Sequence, residues 1–300
     1  ANVLAHDAYA GGVYCARTAE VVAEFQKLRG LPSTGICDHI TWTTLVESSW
    51  VLGSRLLYLT SPHMRGDDVQ AMQTVLAKLG FDCGRADGIF GPNTLRALTE
   101  FQQNYGITAD GICGVNSIRA LERTSSQSGE GPGIVTVREY ETLLTSQDNA
   151  ERPRIVVGCF DSNTRLTRLL VRELRNRGDD VMTIENADPH THARMANSFD
   201  ADVYIGVAGV ETAAIQFAYY ETDSFTSAGG RVAAELCAEF IRSTHPTSEV
   251  AVCGMQLPVL RETRMPAVMC MIGLLGGEDF ALQTVPALAQ AITQWNNQPL

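Results

Sequence analysis

Two stretches of the chain lie over one another at a constant offset of 76 residues. GGVYCARTAEVVAEFQKLRGLPSTGIC (Gly11–Cys37) falls on DGIFGPNTLRALTEFQQNYGITADGIC (Asp87–Cys113), matching Thr18 with Thr94, Phe25-Gln26 with Phe101-Gln102, and Gly35-Ile36-Cys37 with Gly111-Ile112-Cys113. Self-similarity at a fixed period means one supersecondary unit used twice, so the first part must fold as two small modules. In each copy apolar residues recur at helical spacing: Ala19, Val22 and Phe25, then Leu95, Leu98 and Phe101. That pattern buries one face of a helix. Asp87-Gly88 and Asp110-Gly111 are tight turns flanking it. The second copy has an earlier helix over 67–79, opened by the Asp67-Asp68 cap and closed by Gly80. The matching helix of the first copy would precede residue 1, so the expectation is an N-terminally truncated repeat over 1–60 and a second repeat over 61–124.

ERTSSQSGEGPG (Glu122–Gly133) is Ser/Gly-rich and punctuates the chain. A linker and a bridging helix at Thr136–Thr145 are expected within 125–152. Beyond it the pattern alternates: strand RIVVG, helix TRLTRLLVRELRNRG, strand DVMTI, helix THARMANSF, strand ADVYIGVAG, helix AGGRVAAELCAEFIRST, strand PAVMCMIG, helix TVPALAQAITQWNN. Alternation of this kind predicts an α/β domain at 153–300, a mostly parallel sheet with helices on both faces, preceded by two small all-α three-helix repeats. Hydrophobic residues make up 45% of the 300, enough for real cores. The net charge of −11 disfavours nucleic acid and anionic lipid as partners. No apolar run reaches membrane-spanning length.

LGFDCGRADGIFGPNTLRALTEFQQNYGITADGICG resembles the three-helix peptidoglycan-binding domain that accompanies many bacterial cell-wall hydrolases. The motif residues Asp87, Gly88, Phe90, Gly91 and Thr94, with Asp110 and Gly111, are the candidate positions for binding a muropeptide, a glycan or a protein partner. The first copy departs from the motif, with Gly11 for the Asp and Cys15 for the second Gly. Phe90, Ile89 and Ile112 also suit the closing of a small core. The matched cysteines hint at a pair, Cys83 with Cys113, which would require an oxidising compartment.

The second half resembles the zinc-dependent N-acetylmuramoyl-L-alanine amidases of the amidase-3 type. The carriers are His192–Asn197, Ala201–Ile205 and the segment VLRETRMPAVMCMIGLLGGEDFAL (Val259–Leu282). The resemblance implies two histidines and a glutamate on Zn²⁺, with a further glutamate as general base. The strand-to-helix turn RIVVGCFDSNTRL holds no histidine, and Asn163-Thr164-Arg165 occupies the place of the ligand glutamate. Val207 occupies the place of the second histidine and Met271 that of the catalytic glutamate. Valine has no lone pair and a thioether moves no proton at neutral pH. Among other candidates, His190 and His192 in DPHTHAR suit a solvated helix start better than a metal. Asp161, Glu278 and Asp279 suit loop acids or helix caps. Cys159 and Cys270, like Cys237 and Cys253, suit small buried hydrophobes better than nucleophiles.

The expectation is a pseudoenzyme with no catalytic residue, no metal and no cofactor. The combination is similar to the CwlM-type proteins of actinobacteria. That resemblance implies a cytoplasmic regulator of peptidoglycan precursor synthesis, which stimulates the UDP-N-acetylglucosamine enolpyruvyl transferase through protein contacts. A secreted peptidoglycan-binding protein and a zinc amidase with relocated ligands are the alternatives.

Overall fold

The computed structural model describes residues 12–125, 134–146, 152–160, 164–210, 214–222, 225–273 and 278–299. The chain divides into two compact units, residues 1–138 and 139–300.

In the first unit α1 (Ala16–Leu28) and α2 (His39–Ser48) belong to the first repeat. Then α3 (Asp67–Lys78), α4 (Pro92–Tyr105) and α5 (Val115–Ser125) form the second; α6 (Ile134–Ser146) runs across the boundary at 138/139. Helix α4 starts on Pro92 and stops on Gly106, whose φ of 79° is the left-handed cap that glycine adopts without strain. The expected Asp67-Asp68 cap is displaced by one residue. Gly66 is the N-cap of α3 and the two aspartates fill its first turn, where the helix dipole favours negative charge. Leu57, Val69, Met72, Leu76, Phe90, Leu98, Phe101 and Leu121 close the core of the second repeat. Phe90 lies in that core, while Ile112, expected there too, is exposed.

The second unit is a seven-stranded sheet in the order β2-β1-β3-β7-β4-β5, with β6 beside β4. Its strands are β1 (Arg154–Cys159), β2 (Asp180–Glu185), β3 (Val203–Val210), β4 (Ile215–Thr222), β5 (Phe225–Thr226), β6 (Val250–Met255) and β7 (Ala267–Gly273). Pairs β2–β1, β1–β3, β3–β7 and β4–β6 are parallel, whereas β4 runs antiparallel to β7 and to β5. The sheet is therefore mostly parallel, with β4 antiparallel to two of its neighbours. Interspersed are α7 (Thr164–Arg177), α8 (Pro189–Phe199), α9 (Ala228–Thr244), α10 (Pro258–Glu262) and α11 (Glu278–Asn297).

Alternation along the strands decides what each face meets. Ile155, Val157, Ile205, Val207, Phe217, Val268, Cys270 and Ile272 join α7, α9 and α11 in one apolar cluster. The opposite face carries Tyr204, Met269 and Met271, all buried, on the side of α8 and α10. Because both faces are covered, the central strands read as continuous apolar runs.

Candidate functional site

The motif residues of the repeats are organised by a buried glutamine. Gln73 Nε2 donates to Asp87 Oδ1 (3.0 Å), Ile89 O (3.1 Å) and Thr94 Oγ1 (3.0 Å), and its Oε1 accepts from Gly88 N–H (2.8 Å). Asp87 Oδ1 also accepts from Ile89 N–H at 2.9 Å. The same clasp recurs around Gln102, with Asp110, Gly111, Ile112 and Ser117. A third instance surrounds Gln26, with Thr34, Gly35, Ile36 and Thr41. A primary amide supplies two N–H hydrogens, shared here among three acceptors, and a carbonyl oxygen that takes the glycine N–H, so one side chain serves a tight turn packed against a helix. Gly88 and Gly111 sit at φ of 73° and 70°, the conformation that makes glycine necessary there.

Among the proposed ligand positions, Phe90 and Thr94 are thus interior and Gly91 is the N-cap of α4. Asp87, Gly88, Asp110 and Gly111 make the turns. The Ile112 N–H, and next the Gln102 amide, hold the Asp110 carboxyl below its ordinary range. What this scaffold presents outward is apolar: Ile112 and Val115 are exposed, as are Leu56 and Tyr58 on a segment tied to Cys113 through Leu57. Sequence reasoning named the turn and missed this flank, although Ile112 adjoins the motif.

Cys83 and Cys113, whose pairing the sequence leaves open, are free thiols. Cys83 Sγ donates to Gln73 O at 3.4 Å, and burial pushes both thiols up to about 12. Cys270 and Cys237 are buried in the second unit, and burial raises the Cys270 thiol well above its usual value.

In the second unit, Val207 and Met271 stand at the carboxyl-end halves of β3 and β7, on opposite faces of the sheet. Val207 pairs with Cys270 and packs in the helical core; Met271 pairs with Ala208. The two positions expected to share one vacated site therefore do not. Beside Met271 on its own face stand Gln216 of β4 and, on β3, Ala208, one place along from the expected Val207, because a strand turns each successive side chain to the other face. Neither Ala208 nor Met271 offers the imidazole or carboxylate that Zn²⁺ takes, so this pair does not fit the metal. Among the described residues no three His, Cys, Asp or Glu side chains group as a metal site. Asp161 and Asn163, and the side chains of Thr164, Glu278 and Asp279, lie outside the described residues.

His190 and His192 are not the solvated pair expected. His190 Nδ1 meets Glu262 Oε1 of α10 at 2.9 Å. His192 is fully buried, with Nδ1 2.7 Å from Tyr204 Oη and Nε2 2.7 Å from Asn186 O. A carbonyl only accepts, so Nε2 carries the proton and Nδ1 accepts from the Tyr204 hydroxyl. The ring stacks on Phe160 at 4.1 Å. Gly158 makes room for it, since a Cβ there would stand 2.2 Å from Tyr204 Oη and 2.4 Å from His192 Nδ1. The inward stripe His192, Ala193, Ala196 of α8 explains why this histidine is interior.

Burial lowers the His192 pKa, with the Asn186 bond and Asp188 opposing. The unfolded chain therefore binds protons more readily, below a pKa of about 6.5. The neutral ring contributes its full stability above that value and loses it as pH falls through it. The expected outcome is a melting temperature that drops on acidification from pH ~7 to ~5, with a shallower drop in His192→Asn. Thermal melts of both proteins across that range check it.

Comparison with known proteins follows these two units. The putative peptidoglycan binding domain family matches residues 5–45 and 65–121. N-acetylmuramoyl-L-alanine amidase CwlM of Mycobacterium tuberculosis is 29% identical over 93% of this chain and 78% of its own length. N-acetylmuramoyl-L-alanine amidase CwlA of Bacillus subtilis is 35% identical over 29% of this chain, a match spanning 36% of CwlA. Among solved structures, N-acetylmuramoyl-L-alanine amidase AmiC2 of Nostoc punctiforme aligns with 49% of this chain and 98% of its own, at 14% identity and a TM-score of 0.41.

Proposed function

We propose that this chain, an amidase-family homologue carrying a peptidoglycan-binding domain, works without hydrolysis. It acts in the cytoplasm as a regulator of peptidoglycan precursor synthesis, through contacts with the UDP-N-acetylglucosamine enolpyruvyl transferase. The observation that carries the reading is chemical. In the carboxyl-end half of β7 a thioether, Met271, holds the place where the resemblance asks for a carboxylate, and its neighbours across the strands are the methyl group of Ala208 and the amide of Gln216. An amide hydrolase of this kind needs an acidified water and a base to take its proton. None of these side chains supplies either.

A regulator needs no such group; it needs to bind one conformation of its target better than another. Both covered faces of the sheet make the second unit a rigid platform for that purpose. The repeats support a second, compatible reading. Their family match and the apolar flank at Leu56, Tyr58, Ile112 and Val115 suit a peptidoglycan fragment as a ligand that reports on wall synthesis.

The test is a rate assay of the transferase from the same organism, with and without this protein at matched concentration. Stimulation of several-fold, saturating near one-to-one, is the expected outcome. An unchanged rate, together with sedimentation of the protein on purified sacculi, would move the function to the wall.

A further inference from the structure

Strand β6 ends the sheet on the side away from β2 and pairs with β4 alone among the described residues. Ile215 N–H donates to Glu249 O, so with a period of two the odd-numbered backbone groups of β4 and β6 face each other. The even-numbered groups of β4 face β7. Ser227 N–H donates to Tyr220 O on that side, which keeps β5 clear of β6. The N–H and C=O groups of Val250, Val252 and Gly254 therefore point outward. Val250 O accepts from Arg242 Nη2 at 3.0 Å, while the outward groups of Val252 and Gly254 have no protein partner among the described residues. Sheet edges are usually blocked by proline or by charge on the strand itself. Strand β2 carries Asp180 and Glu185, but β6 reads Val-Ala-Val-Cys-Gly-Met, with Ala251 exposed and Val252 half-buried.

We propose that β6 pairs antiparallel with β6 of a second copy of this chain, with Val252 on the two-fold axis and the two sheets joined into one. A two-fold contact uses the same patch on both chains, so the strand must complement itself. In this register every outward group finds a partner: Val252 meets Val252 of the second copy, and Val250 meets its Gly254. A carbonyl has two lone pairs, so Val250 O takes the incoming N–H beside the Arg242 bond.

Charge favours the same register. The side-chain positions of Val250, Val252 and Gly254 lie on the face that α9 covers. At Gly254 that position is filled by a carboxylate, since a Cβ there would overlap Glu221 Oε2. At Val250 stands the Arg242 guanidinium. Setting Val250 against Gly254 of the second copy brings Arg242 of each chain beside Glu221 of the other. Neither has an ion-pair partner among the described residues of its own chain. Glu221 accepts from two hydroxyls, Thr226 Oγ1 at 3.0 Å and Tyr219 Oη at 3.3 Å, and Arg231 on the same face is bonded to Glu235. Glu249 falls opposite Met255 of the second copy, so no like charges meet across the seam. The inference concerns assembly and stands whether or not the chain regulates a transferase.

The test is sedimentation equilibrium of the full chain over about a hundredfold range of concentration, at an ionic strength that screens two chains each carrying −11. A reversible dimer is expected, with amide exchange at Val252 and Gly254 slowing as it accumulates. Arg242→Glu, at an exposed position, sets two acids against each other and is expected to weaken the dimer by at least about tenfold. A second variant reads the register. Ala251 is exposed and falls opposite Cys253 of the second copy in a non-hydrogen-bonded pair, with Cα atoms about 4.5 Å apart, within reach of a disulfide. Ala251→Cys is expected to give, on mild oxidation, a covalent dimer whose linked peptides join 251 to 253, and adding Cys253→Ser is expected to abolish that link. A monomer at every concentration would overturn the proposal and leave the edge to a different chain. A dimer that Arg242→Glu leaves intact, or one that Ala251→Cys does not cross-link, would overturn it as well. So would slow exchange at 252 and 254 in the monomer, which would show the edge already covered by the chain itself.

Discussion

Replacing Arg55 with methionine is expected to destabilise the first unit by about 3–5 kcal/mol, the usual consequence of orphaning one member of a buried ion pair. Asp68 is wholly buried, and Arg55 holds it by two bonds, Nε to Oδ2 at 2.6 Å and Nη2 to Oδ1 at 3.0 Å. The same guanidinium donates to Arg65 O at 2.6 Å and lies 4.1 Å from the ring of Trp50. Methionine restores none of these and leaves a carboxylate in an apolar core with its neighbour Val69 N–H as a local donor. The double variant Arg55→Met/Asp68→Leu removes both charges and is expected to recover most of the loss, because a buried pair contributes little over a well-packed apolar one. Urea unfolding of the four proteins of this cycle measures both numbers. A single variant within about 1 kcal/mol of the parent would show that water reaches Asp68.

Trp295→Ala should cost the second unit a similar amount, about 3–5 kcal/mol. Trp295 is buried in the cluster where α11 meets α7, α9 and the sheet, and its Nε1 donates to Gly229 O at 2.9 Å. That carbonyl lies in the first turn of α9, whose start Ser227 caps by accepting from Gly230 N–H. The indole thus joins two helices by shape and by one polar contact. Trp295→Phe keeps most of the volume and loses the donor, so its expected cost is about 1–3 kcal/mol. Denaturant unfolding of the second-unit transition separates the contributions; equal losses in both variants would assign the whole effect to the hydrogen bond.

How much of this was legible in the sequence differs between the units for physical reasons. The offset repeat was readable because the clasp fixes its residues: Gln26 and Gln102 stand eight positions before Thr34 and Asp110, and each turn needs its glycine. The clasp at Gln73 escaped notice because Gln73 stands fourteen positions before Asp87, so no common spacing announces it. The same clasp explains why residues with the look of a ligand groove, Asp87 and Thr94 above all, turn inward. Parallel strands β1, β3 and β7 were visible as apolar runs. Strand β4 offered an aromatic run, Phe217, Tyr219 and Tyr220, but its direction depends on which neighbour it pairs with, and no local pattern encodes that. Register has the same character. A resemblance placed the second vacated position at Val207, and only the β3–β7 pairing shows that Ala208 stands beside Met271.

The claim that the hydrolase frame lacks its chemistry is tested most directly by adding Zn²⁺ to the metal-free protein in a calorimeter and then assaying it on N-acetylmuramoyl-L-alanine substrates. The account predicts no tight one-to-one binding and no release of peptide above the protein-free rate. Stoichiometric zinc in the second unit, with cleavage that a chelator abolishes, would contradict it.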